Sequence, residues 1–314
     1  MIVFSPGVIK LFGEHAVVYG KPAIAAAIDR GVRVKCSRSD RAVVRAGRAQ
    51  VYVEYDVERR EAKAIGEEGE KFLSYVLTAL RIAEAELGPL KAVFELEGDF
   101  PPSVGAATSA ATSVGVIRAY AACLGVGLEK EELAKLGHRV ELEVQGAASP
   151  MDTAVSAIGG LLKITPSPFS YEKINPPMKE LALVLLPRRG LTKDIVADVR
   201  ALRSRHRSVD AVIDAIGEVV EEAWQCLKGG DLKCVGELME VNNWLLGALG
   251  VVGDDVVALL RYLKPFIYGG KISGAGRGGV VVLLPKRGEI AEALAELGLP
   301  TYIVRIDELG ARAL

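Results

Sequence analysis

Hydrophobic and polar positions change their spacing along the first half of the chain. Short β-rich runs, separated by glycine and proline, fill residues 2–53 and indicate strands and hairpins. Apolar residues then recur at helical spacing over 68–86, and the segment 91–99 indicates another strand. Two further helices are predicted at about 109–124 and 129–145. Because strands cluster at the start instead of alternating regularly with helices, the pattern predicts a mixed α+β fold.

A proline-rich segment near the middle of the chain, PSPFSYEKINPP, marks a candidate domain boundary. A strand over 181–187 follows it, and helical spacing then resumes. We therefore predict two domains, residues 1–170 and 171–314, that meet at a cleft. The other elements predicted beyond the boundary are helices near 208–228, 231–249, 253–264 and 288–297, and strands at 280–285 and 301–306.

The charge balance of the 314 residues indicates which classes of binding partner are not favoured. Charged residues make up 25% of the chain and the formal net charge is −1, so no field of either sign over the whole protein favours nucleic acid or an anionic membrane. The N-terminal sequence MIVFSPGVIK lacks the basic start and cleavage site of a signal peptide, and no uncharged stretch is apolar enough to span a bilayer. We predict a cytoplasmic protein that binds neither nucleic acid nor membranes.

The four cysteines, Cys36, Cys123, Cys226 and Cys234, have spacings that match no zinc motif. Asparagine and glutamine each occur only three times, and this depletion of heat-labile amides fits a thermophilic source. Intracellular disulfides do occur in such organisms, so a Cys226–Cys234 bond is one alternative. We predict buried free thiols.

Small residues and a glycine precede a predicted helix in the segment PPSVGAATSAATS. Such a loop lets backbone N–H groups approach an anion, and the start of the helix adds a dipole that favours phosphate. Ser109 would lie in the first turn, where its hydroxyl could bind a magnesium ion that bridges phosphate oxygens. The alternative is an N-capped helix, with Thr108 and Ser109 serving structure alone.

The segment KISGAGRGGVVVLL (271–284) contains a G-x-G-x-x-G pattern at Gly274, Gly276 and Gly279. In a dinucleotide-binding fold these glycines open a helix, whereas here they lead into a valine-rich strand. The chain also lacks a Walker A motif. The number of glycines exceeds what a tight turn needs, which favours close approach of the backbone to a ligand.

Two further segments hold polar residues in apolar surroundings. In ASPMDTAVSAIGG, Ser149 at the N-cap, Pro150 at the first helical position and Asp152 at the third make a plausible helix start. Asp152 is nevertheless the one acid between Gly146 and Gly160, and it could orient an alcohol or accept its proton. In SPGVIKLFGEHAVVYG, Glu14 and His15 form a compact polar turn suited to a polar substrate, although a lone histidine is more often structural.

Together these segments resemble the three signature motifs of the GHMP kinases, in order and over nearly the whole chain. The run GEHAVVYGKPAIAAAI is similar to the first motif of the mevalonate kinase branch in particular, as are LTKDIVADVR (191–200) and MEVNNWLLGALGV (239–251). The resemblance implies an N-terminal domain like ribosomal protein S5, a C-terminal ferredoxin-like domain, and ATP and substrate in the cleft between them. It also implies a homodimer and, as the activity, magnesium-dependent transfer of phosphate from ATP to mevalonate, giving 5-phosphomevalonate for isoprenoid biosynthesis.

The resemblance also assigns roles by position. Asp152 falls where the family has its catalytic aspartate, and Ser109 with Glu141 falls where it binds magnesium. The residues implied to bind ATP are Ser103, Val104, Gly105, Ala106, Ala107, Thr108 and Ser109, and those implied to contact substrate are Glu14, His15, Thr192, Gly274 and Ala275.

The sequence departs from the family pattern at a lysine. The usual lysine of the first motif falls on Val8, and the nearest lysine is Lys10. Side chains two residues apart on a strand share a face about 6.6 Å apart, so we hypothesise that Lys10 reaches back as a catalytic residue near Asp152. The phosphate loop is also poorer in glycine than the family's, and Arg277 interrupts the last glycine run, where it is a candidate contact to phosphate or carboxylate.

Three alternatives to this activity stay open at this point. A sister kinase, such as a phosphomevalonate kinase or a mevalonate 3-kinase, would place the phosphate differently. Mevalonate diphosphate decarboxylase fits the first motif less well. A non-catalytic paralogue that binds nucleotide is favoured by Val8, and it is opposed by the joint presence of Ser109, Glu141 and Asp152.

Overall fold

A computed structural model of the chain describes residues 1–48, 51–57, 61–63, 67–100, 105–146, 148–286 and 290–314. Helices and strands are mixed along it, which confirms the α+β prediction. The strands are β1 (Ile2–Phe12), β2 (Ala23–Arg38), β3 (Val43–Arg48), β4 (Val51–Asp56), β5 (Glu61–Lys63), β6 (Ala92–Gly98), β7 (Leu161–Pro166), β8 (Phe169–Ile174), β9 (Glu180–Leu186), β10 (Ile267–Ser273), β11 (Gly279–Pro285), β12 (Thr301–Arg305) and β13 (Arg312–Ala313).

The predicted helices agree with the observed ones to within a few residues at their ends. Two helices were not predicted from spacing: α5 (Thr192–Arg205), and α4 (Met151–Ile158), of which only the start was predicted. Within the described residues no helix is long and apolar enough to cross a bilayer. The helices are α1 (Glu67–Leu87), α2 (Thr108–Leu124), α3 (Lys130–Gln145), α4 (Met151–Ile158), α5 (Thr192–Arg205), α6 (Ser208–Gly229), α7 (Leu232–Ala248), α8 (Asp254–Leu263) and α9 (Ile290–Glu296), with short 3-10 turns at Ala16–Tyr19 and Lys264–Phe266.

The first sheet carries the N-terminal half of the chain. Its strand order in the described part is β13-β1-β2-β6-β3-β4-β5, and β7 and β8 extend it from the other end of β2. Alternate side chains of β2 enter two different cores: Ala25 and Ala27 face the helices α2 and α4, whereas Ile24 and Ile28 face the second half of the molecule. The long strands β1 and β2 are therefore buried on both faces, which explains their continuous apolar runs.

The second sheet has the order β10-β11-β9-β12 and is antiparallel throughout its described pairs. Helix α7 packs against β10, and α6 contributes Trp224 to the core shared with β1 and β2. Strand pairing crosses the proposed boundary at 170/171, because β8 spans it and β13 returns to pair with β1. The division into 1–170 and 171–314 stays a proposal, as does the cleft that it implies.

The prediction of free thiols is wrong. The structure joins Cys36 to Cys123 and Cys226 to Cys234, so all four cysteines form disulfides. The first bond links β2 to the end of α2, two elements that meet only in the folded protein. The second links the end of α6 to the start of α7, and it was the alternative named from sequence.

The disulfides should stabilise the protein by different amounts. The Cys36–Cys123 bond spans 87 residues, so its loss should cost about 4–5 kcal/mol of unfolding free energy in the chain-entropy model. The Cys226–Cys234 bond spans only 8 residues and should contribute about 2–3 kcal/mol. Guanidinium unfolding of wild type and of each paired Cys→Ala variant, with and without reductant, measures both. Equal loss from the two variants, or insensitivity of the wild type to reductant, would contradict this prediction.

Candidate active site

The Lys10 and Asp152 side chains meet at the centre of the candidate site. Lys10 lies on the face of β1 that α4 covers, the same face as Val8, and a bulge between Lys10 and Phe12 ends the regular pairing there. Its Nζ donates a hydrogen bond to Asp152 Oδ2 at 2.9 Å, with the two side chains 23% and 20% exposed. The hypothesis that Lys10 reaches Asp152 is confirmed as a contact.

The charge state of this pair follows from its surroundings. Burial by itself lowers the pKa of Lys10, but attraction to Asp152 and the hydrogen bond to it outweigh burial, so the pKa is raised and the ammonium stays charged at neutral pH. The other carboxylate oxygen, Asp152 Oδ1, is buried and has no hydrogen-bond partner within the described part of the chain. A buried acceptor without a partner is costly, so this oxygen is available to a donor on a ligand.

Asp152 does not serve as a helix cap. The structure places the N-cap at Pro150, one residue later than predicted, so Asp152 is the second residue of α4 and not the third. Ser149 takes part in the local turn, because its Oγ accepts a hydrogen bond from the Met151 N–H at 3.3 Å. The Asp152 carboxylate points to Lys10 instead, which removes the helix-cap alternative for this acid.

The predicted phosphate loop leads into α2 as expected. Ala107, the N-cap residue, has a left-handed backbone conformation with φ 48° and a side chain without a hydrogen-bond acceptor, so it leaves the first N–H groups of α2 uncapped by their own N-cap residue. The Ala106 carbonyl accepts a hydrogen bond from Val8 N–H at 3.1 Å, which ties the loop to β1. Ser103 and Val104 lie outside the described residues. The loop therefore presents an uncapped helix start beside Lys10, a geometry suited to an anion.

The two residues predicted to bind magnesium, Ser109 and Glu141, lie in contact with each other. Ser109 Oγ donates to Glu141 Oε1 at 3.0 Å, and Glu141 is only 4% exposed. Burial, followed by repulsion from Asp152, raises the pKa of Glu141 to about 7. Oxygen donors of this kind suit magnesium, which protein side chains usually hold through one or two carboxylates together with substrate phosphates.

Tyr75 is a neighbour of this pair that was missed from sequence. It lies on α1 and is buried, and its hydroxyl interacts with Ser109 and Gln145. Burial and the nearby Glu141 raise its pKa to about 12, so it stays a neutral hydrogen-bonding group. Only its helical spacing was visible in the sequence, and spacing marks it as an ordinary core residue.

The buried Glu141 should make the metal-free protein sensitive to pH. Because its pKa rises from 4.5 to about 7 on folding, the folded state keeps a proton that the unfolded chain loses in that range. The contribution of the protonated Glu141 carboxyl to the unfolding free energy is thus largely present at pH 5, and it is lost as the pH rises through 7. Glu141→Gln, which stays neutral, should raise the unfolding free energy by up to about 3 kcal/mol at pH 8 and change it little at pH 5.

Chemical unfolding in the presence of a magnesium chelator measures this effect. Glu132→Gln, on the exposed side of the same helix, is the matched control and should show no such pH-dependent gain. If Glu141→Gln stabilised equally at both pH values, burial of the charge would not be the cause.

The polar turn of Glu14 and His15 contacts the glycine-rich segment 271–284 at the other end of the site. His15, in a left-handed conformation with φ 60°, contacts the carbonyl oxygen of Ala275 through Nε2 at 3.0 Å, so Nε2 carries the proton that it donates. Burial lowers the pKa of His15, which leaves the ring neutral and its Nδ1 an acceptor. Beside it, Glu14 forms a buried ion pair with Lys271, a residue absent from the predicted site.

The phosphate loop before α2 and the glycine-rich segment 271–284 also lie next to each other. A Cβ placed on Gly274 would lie 3.9 Å from the carbonyl oxygen of Gly105, and Gly274 itself has φ 94°. The Lys10 N–H donates to Ser273 Oγ at 2.9 Å, so β10 is bound directly to β1 at the site. The glycine-rich loop thus lies close enough to the phosphate loop for both to contact one ligand.

Two further residues with predicted ligand contacts, Thr192 and Arg277, lie on α5 and against it. Thr192 is the exposed first residue of α5, and its Oγ1 accepts a hydrogen bond from Arg188. Arg277, with φ 54°, pairs its guanidinium with Asp198 of α5 and contacts the Gly250 carbonyl. The candidate contact from Arg277 to phosphate or carboxylate stays a prediction, and its guanidinium lies against Asp198 of α5.

Comparison with known proteins agrees with this geometry. Residues 74–160 match the GHMP kinases N terminal domain, and residues 221–299 match the GHMP kinases C terminal domain. Mevalonate kinase of Saccharolobus solfataricus is 36% identical over 303 residues, which cover 95% of this chain and 92% of that protein. Mevalonate kinase of Thermococcus sibiricus is 35% identical over 338 residues, covering 99% and 98%.

A solved structure gives the same result for the fold. The crystal structure of the Methanococcus jannaschii mevalonate kinase superposes with a TM-score of 0.81 at 26% identity, over 98% of each chain. The two-domain fold implied by the sequence motifs is thereby confirmed. The chain belongs to the GHMP kinases and, within them, to the mevalonate kinases.

Proposed function

We propose that this enzyme transfers the γ-phosphoryl group of ATP to the 5-hydroxyl of mevalonate, giving 5-phosphomevalonate for isoprenoid biosynthesis. The observation that carries the proposal is that Asp152 Oδ1, which has no partner among the described residues, lies next to a charged lysine and near a helix start whose N-cap residue makes no side-chain cap. An alcohol needs an acceptor for its proton, and a triphosphate needs positive charge and N–H donors. This site offers all three in one place. The names of the curated relatives support mevalonate as the alcohol.

Asp152 and Lys10 would act together on the reacting atoms. The hydroxyl of the substrate donates to Asp152 Oδ1, and its oxygen attacks the γ-phosphorus in line with the bond to ADP. As the new P–O bond forms and the bond to ADP breaks, the hydroxyl proton passes to the carboxylate. Lys10 holds Asp152 in place through Oδ2 and offers positive charge to the transferring group.

Ser109 and Glu141 would hold magnesium, and their hard oxygen atoms fit that ion. When bound, the ion would supply positive charge that offsets the negative charge of the ATP phosphates. Ionised Glu141 is required for this role, and its raised pKa places that ionisation near neutral pH. The loop Gly105–Thr108 would wrap the phosphates through its backbone N–H groups.

Glu14, His15 and the loop Gly274–Ala275 would form the alcohol side of the site. Each is fixed by contacts across the two halves of the molecule: Glu14 by Lys271, and His15 by the Ala275 carbonyl. Thr192 would contact substrate from α5. Such rigid placement is what a phosphoryl transfer requires, since positioning supplies much of its rate.

A homodimer and a cytoplasmic location are further proposals, and both rest on the family resemblance. Light scattering of the purified protein would test the first. The non-catalytic alternative rested on Val8, and the contact of Lys10 with Asp152 argues against it. A mevalonate 3-kinase remains the competing enzyme.

The position of the phosphate distinguishes these two enzymes. A phosphate on the 5-hydroxyl is attached to a CH2 group, so its ³¹P signal is split by two protons three bonds away. A phosphate on the tertiary 3-hydroxyl has no such protons and gives an unsplit signal. The proposal predicts a triplet from the product of mevalonate and ATP, and a singlet would overturn it in favour of the 3-kinase.

A further inference from the structure

Lys271 is a fully buried lysine between the two halves of the molecule. It lies on β10, its side chain is 0% exposed, and its Nζ donates to Glu14 Oε1 and to the Ile272 carbonyl. The Glu14 side chain is only 2% exposed. The motif patterns give this lysine no role, and the mechanism above uses it only as the partner that fixes Glu14.

Stability alone does not account for this pair. Removing two charges from water costs more than their attraction usually returns, and an apolar pair of similar volume often serves as well or better. Burial indeed lowers the pKa of Lys271, with attraction to Glu14 opposing that shift. A charged pair in this place therefore calls for a role that two apolar residues could not fill.

The free oxygen of Glu14 indicates that role. Glu14 Oε1 is held by Lys271, whereas Oε2 is buried without a partner within the described residues. Asp152 Oδ1, described above, is the other carboxylate oxygen in this state. Both belong to the first domain's share of the site, and Lys10 feels the charge of both carboxylates. Mevalonate carries two hydroxyl groups, one for each oxygen.

The strand that carries Lys271 is held rigidly. Asn243, buried on α7, accepts a hydrogen bond from the Ile272 N–H at 3.2 Å, and Ser273 binds the backbone of Lys10. The lysine is thus fixed between α7 and the strand of Lys10. The ammonium holds Oε1 of Glu14 and thereby sets the direction of the second oxygen, Oε2.

We propose that Lys271 is a positioning residue that aims Glu14 Oε2 at the second hydroxyl of the alcohol substrate, the one that is not phosphorylated. This rests on the proposed function. An ionised carboxylate accepts hydrogen bonds only, so it selects a hydroxyl and repels the carboxylate of the substrate. Lys271 acts through Glu14 and does not touch the reacting atoms.

The test combines variants with a substrate analogue. Lys271→Met and Glu14→Gln should each raise KM for mevalonate about 10- to 100-fold, the value of a hydrogen bond to a charged group, and leave KM for ATP unchanged. Lys271→Arg keeps the charge and should recover part of the loss. With 3-deoxymevalonate, which lacks the second hydroxyl, wild type should already show the raised KM, and the variants should add nothing.

The neutral pair Glu14→Gln/Lys271→Met covers the possibility that Lys271→Met does not fold, because it leaves no buried charge. Its KM for mevalonate should be no higher than that of Glu14→Gln alone, as expected for residues that act as one unit. Lys163→Met is the matched control. Lys163 also joins the two halves, through Glu172 and Glu221, and its loss should leave both KM values unchanged.

Wild-type turnover of mevalonate tests the proposed function by itself. If wild type is active and the Glu14→Gln/Lys271→Met variant has the wild-type KM for mevalonate, the proposed role of Lys271 is wrong, whereas the proposed activity stands. A rise in KM that is undiminished with 3-deoxymevalonate would also overturn it. A rise confined to mevalonate supports it.

Discussion

Replacing Asp152 with asparagine should lower kcat by about 100- to 10,000-fold, the range over which a positioned acid or base contributes to catalysis. The amide keeps the shape of the side chain and can still meet Lys10, but it cannot accept the proton of the hydroxyl. Because Asp152 does not cap α4, the fold should be retained, and KM for ATP should change little. Steady-state kinetics together with thermal unfolding measure both quantities.

Asp254→Asn is the control for this substitution. Asp254 also lies in the first turn of a helix, α8, but it is exposed and lies outside the candidate site. Its loss should leave kcat unchanged. If Asp152→Asn kept wild-type kcat, Asp152 would be a structural acid, and the mechanism proposed here would be wrong.

Replacing Lys10 with methionine should lower kcat by about 100- to 1,000-fold, the loss typical of removing one preorganised electrostatic group from a site of developing charge. The substitution removes the ammonium that holds Asp152 Oδ2, whereas the apolar stem of the side chain is retained. KM for mevalonate should change much less than kcat. Rapid-quench measurement of the chemical step would show whether that step is the one slowed.

Lys21→Met is the matched control for Lys10. Lys21 belongs to the same first motif, but its ammonium pairs with the exposed Asp214 of α6. That variant should keep wild-type kcat. If Lys10→Met kept it as well, the departure at Val8 would be uncompensated, and another group would have to supply the charge.

Much of the site was predictable because its parts are local in sequence. The glycine pattern at 274–279, the small residues before α2, and the isolated Asp152 each form a short segment with its own chemistry. The alternation of side chains on a strand was enough to place Lys10 on the face of Val8, and the structure shows that it contacts Asp152 there. Their roles in catalysis remain predictions.

What could not be predicted depends on contacts between distant residues. Lys271 is read from sequence as one more polar residue in an apolar strand, and only its pairing with Glu14, 257 residues away, reveals it as buried. Tyr75 likewise belongs to the site only because the fold brings α1 close to Ser109. The Cys36–Cys123 disulfide joins two elements whose proximity no local pattern encodes. Helix α5 was missed because its apolar stripe is narrow, with only Ile195 and Val199 buried.

The most direct test of the account is ATP turnover by the purified protein with magnesium at elevated temperature, with mevalonate, homoserine, galactose and phosphomevalonate offered in parallel. The account predicts turnover with mevalonate alone, and its loss in Asp152→Asn. Turnover with phosphomevalonate instead, or no turnover with any of the four while ATP still binds, would contradict it.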